Sequence, residues 1–139
     1  LSLNINFFSN KGIDKILSSL RKNDSLKQLC LSENKIDEKA FNNLVNYLKF
    51  NKTLKILEIK SSRINDESLK NIMQIFSGNL SLEKINLNDN YLGYESIAKF
   101  GQYNSKNDII NEVKLMNNKT LKEQQTLLIS CNSHLIFAN

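Results

Sequence analysis

The chain has 139 residues, of which 40% are apolar and 24% charged, the balance of one folded domain rather than of a disordered segment. Its net charge of +5 comes from Lys scattered among Asp and Glu with no run of five, which argues against the clustered basic face of a nucleic-acid binder. No apolar stretch approaches the roughly 18 residues of a membrane span, and the opening residues have no signal-peptide pattern, so neither nucleic acid nor membrane is expected as a partner.

Taken in order, the chain repeats itself every 28 residues. The first unit (1–24) is partial: Leu1, Leu3, Asn6 and Phe8 stand where Leu29, Leu31, Asn34 and Ile36 stand one unit later. An amphipathic run follows at Ile13, Ile16, Leu17 and Leu20, and Asn23 closes the unit. The chain enters in mid-pattern at Leu1, so it is expected to be a fragment of something longer.

The second unit (25–52) is the clearest. Leu26, Leu29, Leu31, Asn34 and Ile36 follow the spacing L-x-x-L-x-L-x-x-N-x-L. Leu29-Cys30-Leu31 alternates, as a short half-buried strand should. The period then changes: Ala40, Phe41, Leu44, Val45 and Leu48 share one face of a helix. Asp37 is expected to cap its start, and Asn51 to end it in the left-handed conformation that Asn tolerates.

The third unit (53–80) keeps the plan through Leu54, Leu57, Ile59 and Ile64, then Leu69, Ile72, Met73 and Phe76, with Asn65 as the cap and Asn79 as the end. Ser62 replaces the Asn, which predicts a local weak point there or a water making up the difference. The fourth unit (81–108) has Leu82, Ile85, Leu87, Asn90 and Leu92, then Ile97 and Phe100. Gly101 and Asn104 replace larger apolar residues, so a neighbour approaches closely or the helix is short. The fifth (109–136) has Ile110, Val113, Leu115, Asn118 and Thr120. Thr120 and Glu123 make a T-x-x-E capping box before Leu128 and Ile129, and Leu135 to Phe137 lead into a sixth strand.

One such unit cannot bury its leucines, but stacked units can. Strands about 4.8 Å apart on one edge and helices about 10 Å wide on the other force the stack to curve, with the strands on the concave side. After each strand the backbone leaves the sheet and its polar groups lose their ladder partners. A buried Asn amide can both donate and accept there. Asn6, Asn34, Asn90 and Asn118 are therefore expected to stack as a buried structural ladder.

The pattern resembles the leucine-rich repeat, and the 28-residue period with a full helix resembles its ribonuclease-inhibitor-like subfamily. The resemblance covers nearly the whole chain. It implies an α/β fold, a right-handed solenoid or horseshoe with a parallel sheet on the concave face and helices on the convex face. Members include ribonuclease inhibitor, the Ran GTPase-activating protein, tropomodulin-like actin regulators, sensor domains of innate-immune receptors, axonemal scaffold proteins and bacterial effectors. Nearly all bind proteins.

Strand alternation then assigns the outward positions: Ser2, Asn4, Gln28, Cys30, Ser32, Ile56, Glu58, Lys60, Lys84, Asn86, Asn88, Glu112, Lys114 and Met116. This face is polar and mixed in sign, suited to a wet protein interface, with the unused solvated sheet face as the rival reading. Lys60 and Lys84 are expected to lie opposite Glu58 and Glu112 and to be partly paired.

Catalysis is not expected. Cys131 lies three residues before His134, the single His, but nothing supplies the third group of a triad. Two Cys and one His are too few for a four-ligand metal site, the Gly residues form no phosphate loop, and no cofactor is expected. Cys30 and Cys131 fall in different parts of units far apart in a stack, which predicts two free thiols and a reducing compartment. Four N-x-[ST] sequons, at Asn23, Asn51, Asn79 and Asn118, read as products of the repeat, with Asn118 buried.

The expected function is therefore protein binding through the concave strand face, as a scaffold or regulatory subunit of a larger cytoplasmic, cytoskeletal or ciliary assembly. The convex helices and the exposed ends are the next candidate surfaces. A GTPase-activating regulator of the Ran type is the alternative from another class, and an effector acting on a host protein is a further one.

Overall fold

The computed structural model describes residues 1–6, 8–74, 78–104, 109–121, 124–125 and 135–136. Strands and helices alternate: α1 (Asn10–Leu20), β1 (Gln28–Cys30), α2 (Glu38–Phe50), β2 (Ile56–Glu58), α3 (Asp66–Met73), β3 (Lys84–Asn86), α4 (Tyr94–Asn104), β4 (Glu112–Lys114) and β5 (Leu135–Ile136). The five strands form one parallel sheet in chain order. Register steps by 28 residues: Gln28 faces Ile56, Ile56 faces Lys84 and Lys84 faces Glu112. The helices stack in the same order, each on the next.

The core lies between the two layers and is built from aligned rows. Leu29, Leu57, Ile85 and Val113 form one row at the strand centres, and Leu31, Ile59, Leu87 and Leu115 a second just beyond them, all at most 2% exposed. Leu54, Leu82 and Ile110 precede the strands, and Ile36, Ile64 and Leu92 follow the turns. Phe41, Leu44, Leu48, Leu69, Ile72, Ile97 and Phe100 close the core from the helices. Each such side chain contributes about 1.5–3 kcal/mol by leaving water.

The helix starts are as the sequence indicates. The Asp37 carboxylate accepts from the Ala40 N–H at 2.9 Å and the Asn65 side chain from that of Ser68 at 3.0 Å. Ser9 caps α1 in the same way. Gly101 does not shorten α4, which runs through it; the short helix is α3, with eight residues. The expected helix residues Phe76, Leu128 and Ile129, and Glu123 of the capping box, lie outside the described residues.

Asn51 departs from expectation. Its backbone is extended (φ −76°, ψ 131°), not left-handed. Its side chain instead turns the chain: Oδ1 accepts from the N–H groups of Thr53 (3.0 Å) and Leu54 (2.7 Å). Asn23 and Asn79 do the same for Ser25 and Leu26 and for Ser81 and Leu82. Asn79 also donates back to the carbonyls of Leu48 (2.6 Å) and Asn51 (3.1 Å). A repeating Asn at each helix-to-strand turn thus feeds backbone bonds to its own turn, which lets the next strand begin on time.

The left-handed residues sit elsewhere, at the opposite turn. Ile5, Glu33, Ser61, Asp89 and Asn117 have φ between 51° and 59°. Four of them donate their N–H to a carbonyl of the following unit, Glu33 to Lys60 at 2.9 Å and Asp89 to Met116 at 2.8 Å among them. The left-handed bend keeps one more rung of the ladder bonded after the strand has ended.

The next residue in each unit is the expected ladder Asn. Asn34 is buried; its Nδ2 donates to the carbonyls of Leu3 (2.9 Å), Leu31 (3.0 Å) and Ser32 (3.3 Å), and its Oδ1 accepts from Asn6 and Phe8. Asn90 is buried too, donating to Ile59, Leu87 and Asn88 and accepting from Ser62 and Ile64. Asn118 repeats the donations but is only half-buried, so the expectation of a buried Asn118 is corrected. Asn6 is exposed; its N–H reaches Asn34, but its side-chain amide donates only to the Asn4 carbonyl of its own turn, so it forms no rung.

At Ser62 the rung is missing. The hydroxyl donates to the Lys60 carbonyl at 3.0 Å and does not cross to the preceding unit. The Ile36 N–H turns back to the carbonyl of Asn34 instead. Arg63 next to it takes a second left-handed conformation (φ 62°) that no other unit has among the described residues.

Two expectations follow. Leu87→Ala is expected to cost about 2–5 kcal/mol in a denaturant titration, as cavity-forming core substitutions do; a loss near zero would contradict its burial. Ser62→Asn is expected to raise stability by about 1 kcal/mol by restoring the rung to the N–H groups of unit two. An unchanged or lower unfolding midpoint would show that the turn has closed around the smaller side chain.

Candidate partner-binding face

The outward residues of the strands line up across the sheet in three rows. Gln28, Ile56, Lys84 and Glu112 form the first and Cys30, Glu58, Asn86 and Lys114 the second. Ser32, Lys60, Asn88 and Met116 lie just past the strands. The structure thus brings together the residues that the alternation singled out, around a shallow groove of about 210 Å³ that includes Gln28, Ile56, Lys84, Asn86 and Glu112.

The third row holds more structure than the sequence suggests. The Ser32 Oγ accepts from the Lys60 N–H (3.0 Å), and the Asn88 Oδ1 from the Met116 N–H (2.8 Å). Upstream, the Asn4 Oδ1 accepts from the Ser32 N–H (2.9 Å). A Lys cannot accept, so Lys60 breaks this series; the Asn88 N–H is taken by Asn86 of its own strand at 3.1 Å. Ser32 is buried for this reason, and Asn4 and Asn88 are half-committed to the backbone.

The charges are also largely used. Glu112 lies 3.1 Å from the Lys84 ammonium and 3.6 Å from that of Lys114, and these bonds hold its carboxyl below the usual carboxylate range. Glu58 accepts from the Gln28 amide at 2.8 Å. Lys60 reaches not Glu58 but Asp89, at 3.6 Å, in the neighbouring turn. What remains for a partner is a central apolar patch at Ile56, the Asn86 amide, the Met116 thioether and the outer edges of paired ions.

Cys30, expected to point outward, is only 7% exposed. Ser2 bridges to it from the preceding unit, and the Gln28 amide lies 3.5 Å from its sulfur. Burial and the nearby Glu58 carboxylate push its thiol pKa up, the opposite of an activated nucleophile. Cys131 and His134 lie outside the described residues. Among the described residues no three His, Cys, Asp or Glu side chains gather as a metal site, and no helix is long and apolar enough to cross a membrane.

No protein-family model and no curated protein matches the chain. Solved structures do. Leiomodin-1 actin-binding site 2 superposes with a TM-score of 0.79 at 14% identity, covering 91% of this chain and 79% of that one. The tropomodulin C-terminal domain of Caenorhabditis elegans superposes with 0.72 at 16% identity, covering 91% and 83%. The chain shares their leucine-rich-repeat-like α/β fold.

This corrects the assignment to the ribonuclease-inhibitor-like subfamily. The structural likeness is to the tropomodulin and leiomodin domains, not to a regular solenoid of 28-residue units with full helices. Its physical reason is visible in the units themselves: helices of 11, 13, 8 and 11 residues alternate with strands of two or three. Strand spacing reports the leucine rows and the turn amides, which any short leucine-rich array needs, and so does not separate subfamilies.

The ion pairs carry a pH signature. A carboxyl whose pKa falls on folding contributes stability above its ordinary value, and that contribution is lost as pH drops through the depressed one. Glu112→Gln is expected to lower stability at neutral pH by less than about 1 kcal/mol, because the pairs are partly solvated. The difference from the parent should vanish in acid; a difference that persists at low pH would mean that packing, not charge, is what Glu112 supplies.

Proposed function

We propose that the chain is a protein-binding module that engages actin, acting by binding rather than by catalysis and without a cofactor. The observation that carries this reading is the superposition, over 91% of the chain, on a domain whose own description is an actin-binding site. The described partner of that domain is actin and not a GTPase, which favours this reading over a GTPase-activating regulator. An actin partner would place the chain in the cytoplasm, at the cytoskeleton.

The strand face supports the reading physically. It is rigid, because its three rows are fixed by sheet bonds and side-chain-to-backbone bonds. It offers one apolar centre, Ile56, inside a rim of paired charges, the arrangement of a wet and specific interface. If the stack curves as strand and helix widths dictate, forming a shallow horseshoe, Ile56 lies on its inner side.

Co-sedimentation with actin filaments, and gel filtration with monomeric actin, test both parts. The parent is expected to travel with one of the two forms. Ile56→Arg, which puts a bulky cation at the centre of the face without touching the core rows, is expected to weaken this by about tenfold or more. Failure of the parent to bind either form would overturn the actin reading. Binding unaffected by Ile56→Arg would move the interface off the strand face.

A further inference from the structure

We propose that the rim formed by the carboxyl ends of α1 and α2 is a docking site for an acidic peptide segment of a partner protein, bearing one apolar anchor residue. The site is separate from the strand face and does not depend on the actin reading. It is a depression of about 560 Å³, within the usual range for a ligand pocket and much roomier than the groove on the strand face.

Phe50, the last residue of α2, lines it and is 83% exposed. Leu80, one unit on from the lining residue Lys52, is 77% exposed on the following turn. Phe50 gives the depression its exposed apolar side chain, while Leu80 lies outside the lining on the corresponding turn of the next unit.

Arg21, Lys22 and Lys52 surround the depression, against the single carboxylate of Asp24. Among the described residues none of these three cations has an ion-pair partner, whereas Lys60, Lys84 and Lys114 on the strand face all do. Helix carboxyl ends attract cations, but each end carries only about half a negative charge, so an excess of positive charge survives.

A buried donor adds a separate argument. Tyr47 also lines the depression and is 4% exposed. Its hydroxyl accepts from the Asn51 amide at 3.0 Å, and among the described residues its own proton has no acceptor. A buried hydroxyl that accepts without donating calls for a hydrogen-bond acceptor, and a carboxylate supplies one. Cations at the rim, an apolar wall and an unused donor within define the occupant: carboxylates flanking an apolar side chain. A nucleic-acid backbone fits less well, since the Asp24 carboxylate would repel a continuous line of phosphates while leaving a peptide free to place its own carboxylates between the cations.

Fluorescence anisotropy tests this with a labelled peptide of Asp and Glu residues flanking a single Leu, titrated with the whole chain. Saturable binding is expected that weakens as salt rises. The R21E/K22E/K52E variant should bind the peptide at least about tenfold more weakly, and Phe50→Ser several-fold more weakly, while Lys70→Glu, outside the depression, changes nothing. A charge-inverted probe, with Lys and Arg around the Leu, should bind the triple variant and not the parent, which also shows that the variant is folded. The proposal is overturned if the parent shows no saturable binding, if charge reversal leaves it unchanged, or if a single-stranded oligonucleotide binds the same rim as tightly as the acidic peptide.

Discussion

Everything in this fold depends on what happens to the backbone where a three-residue strand stops. So short a strand forms few ladder bonds, and the chain must leave the sheet at once to build its helix. The polar groups exposed at that bend are buried under the next unit, where an unmet N–H or C=O costs about 1–3 kcal/mol. The structure meets this by a left-handed residue that keeps one more backbone bond, followed by an Asn whose amide ties two units together. Leucine rows supply most of the burial, but they can align only because the turns between them close without orphaned groups.

The fold was legible because these constraints act on single positions at a fixed interval. Leu29, Leu31, Asn34 and Ile36 each do one job, and each job recurs one unit later. The same clarity misled at Asn51. A polar residue at the end of a helix suggests a left-handed cap, but here the backbone stays extended and the side chain accepts from the N–H groups of the turn that follows. The truly left-handed positions, Ile5, Glu33, Ser61, Asp89 and Asn117, share no residue type, so no pattern marked them. The subfamily was not legible for a related reason: spacing records the rows and turns common to leucine-rich arrays, and helix length, which differs between units, leaves little periodic trace.

The candidate face was legible as a location and not as a chemistry. Alternation told which side chains leave the core. It could not tell that Ser32 and Asn88 would be drawn onto backbone N–H groups, or that Lys60 would turn to Asp89, since these depend on distances between units. The rim at Phe50 escaped notice because its residues come from two turns that are unremarkable in sequence and become a surface only when the units stack.

The missing rung at Ser62 has a consequence for how the stack comes apart. The buried amides of Asn34 and Asn90 face backwards, each completing the turn of the unit before it. A unit therefore depends for its closure on its successor more than on its predecessor, and the array has a direction. At the junction of units two and three that dependence lapses, and the two halves are held by the sheet, the leucine rows, the bonds of Lys60 to Ser32 and Glu33, the Gln28–Glu58 and Asn71–Asn42 contacts and the bonds of Asn79, with no rung of the Asn ladder among them. The chain is thus two directional stacks in series, with a softer joint between them, where bending under load or opening during assembly would begin.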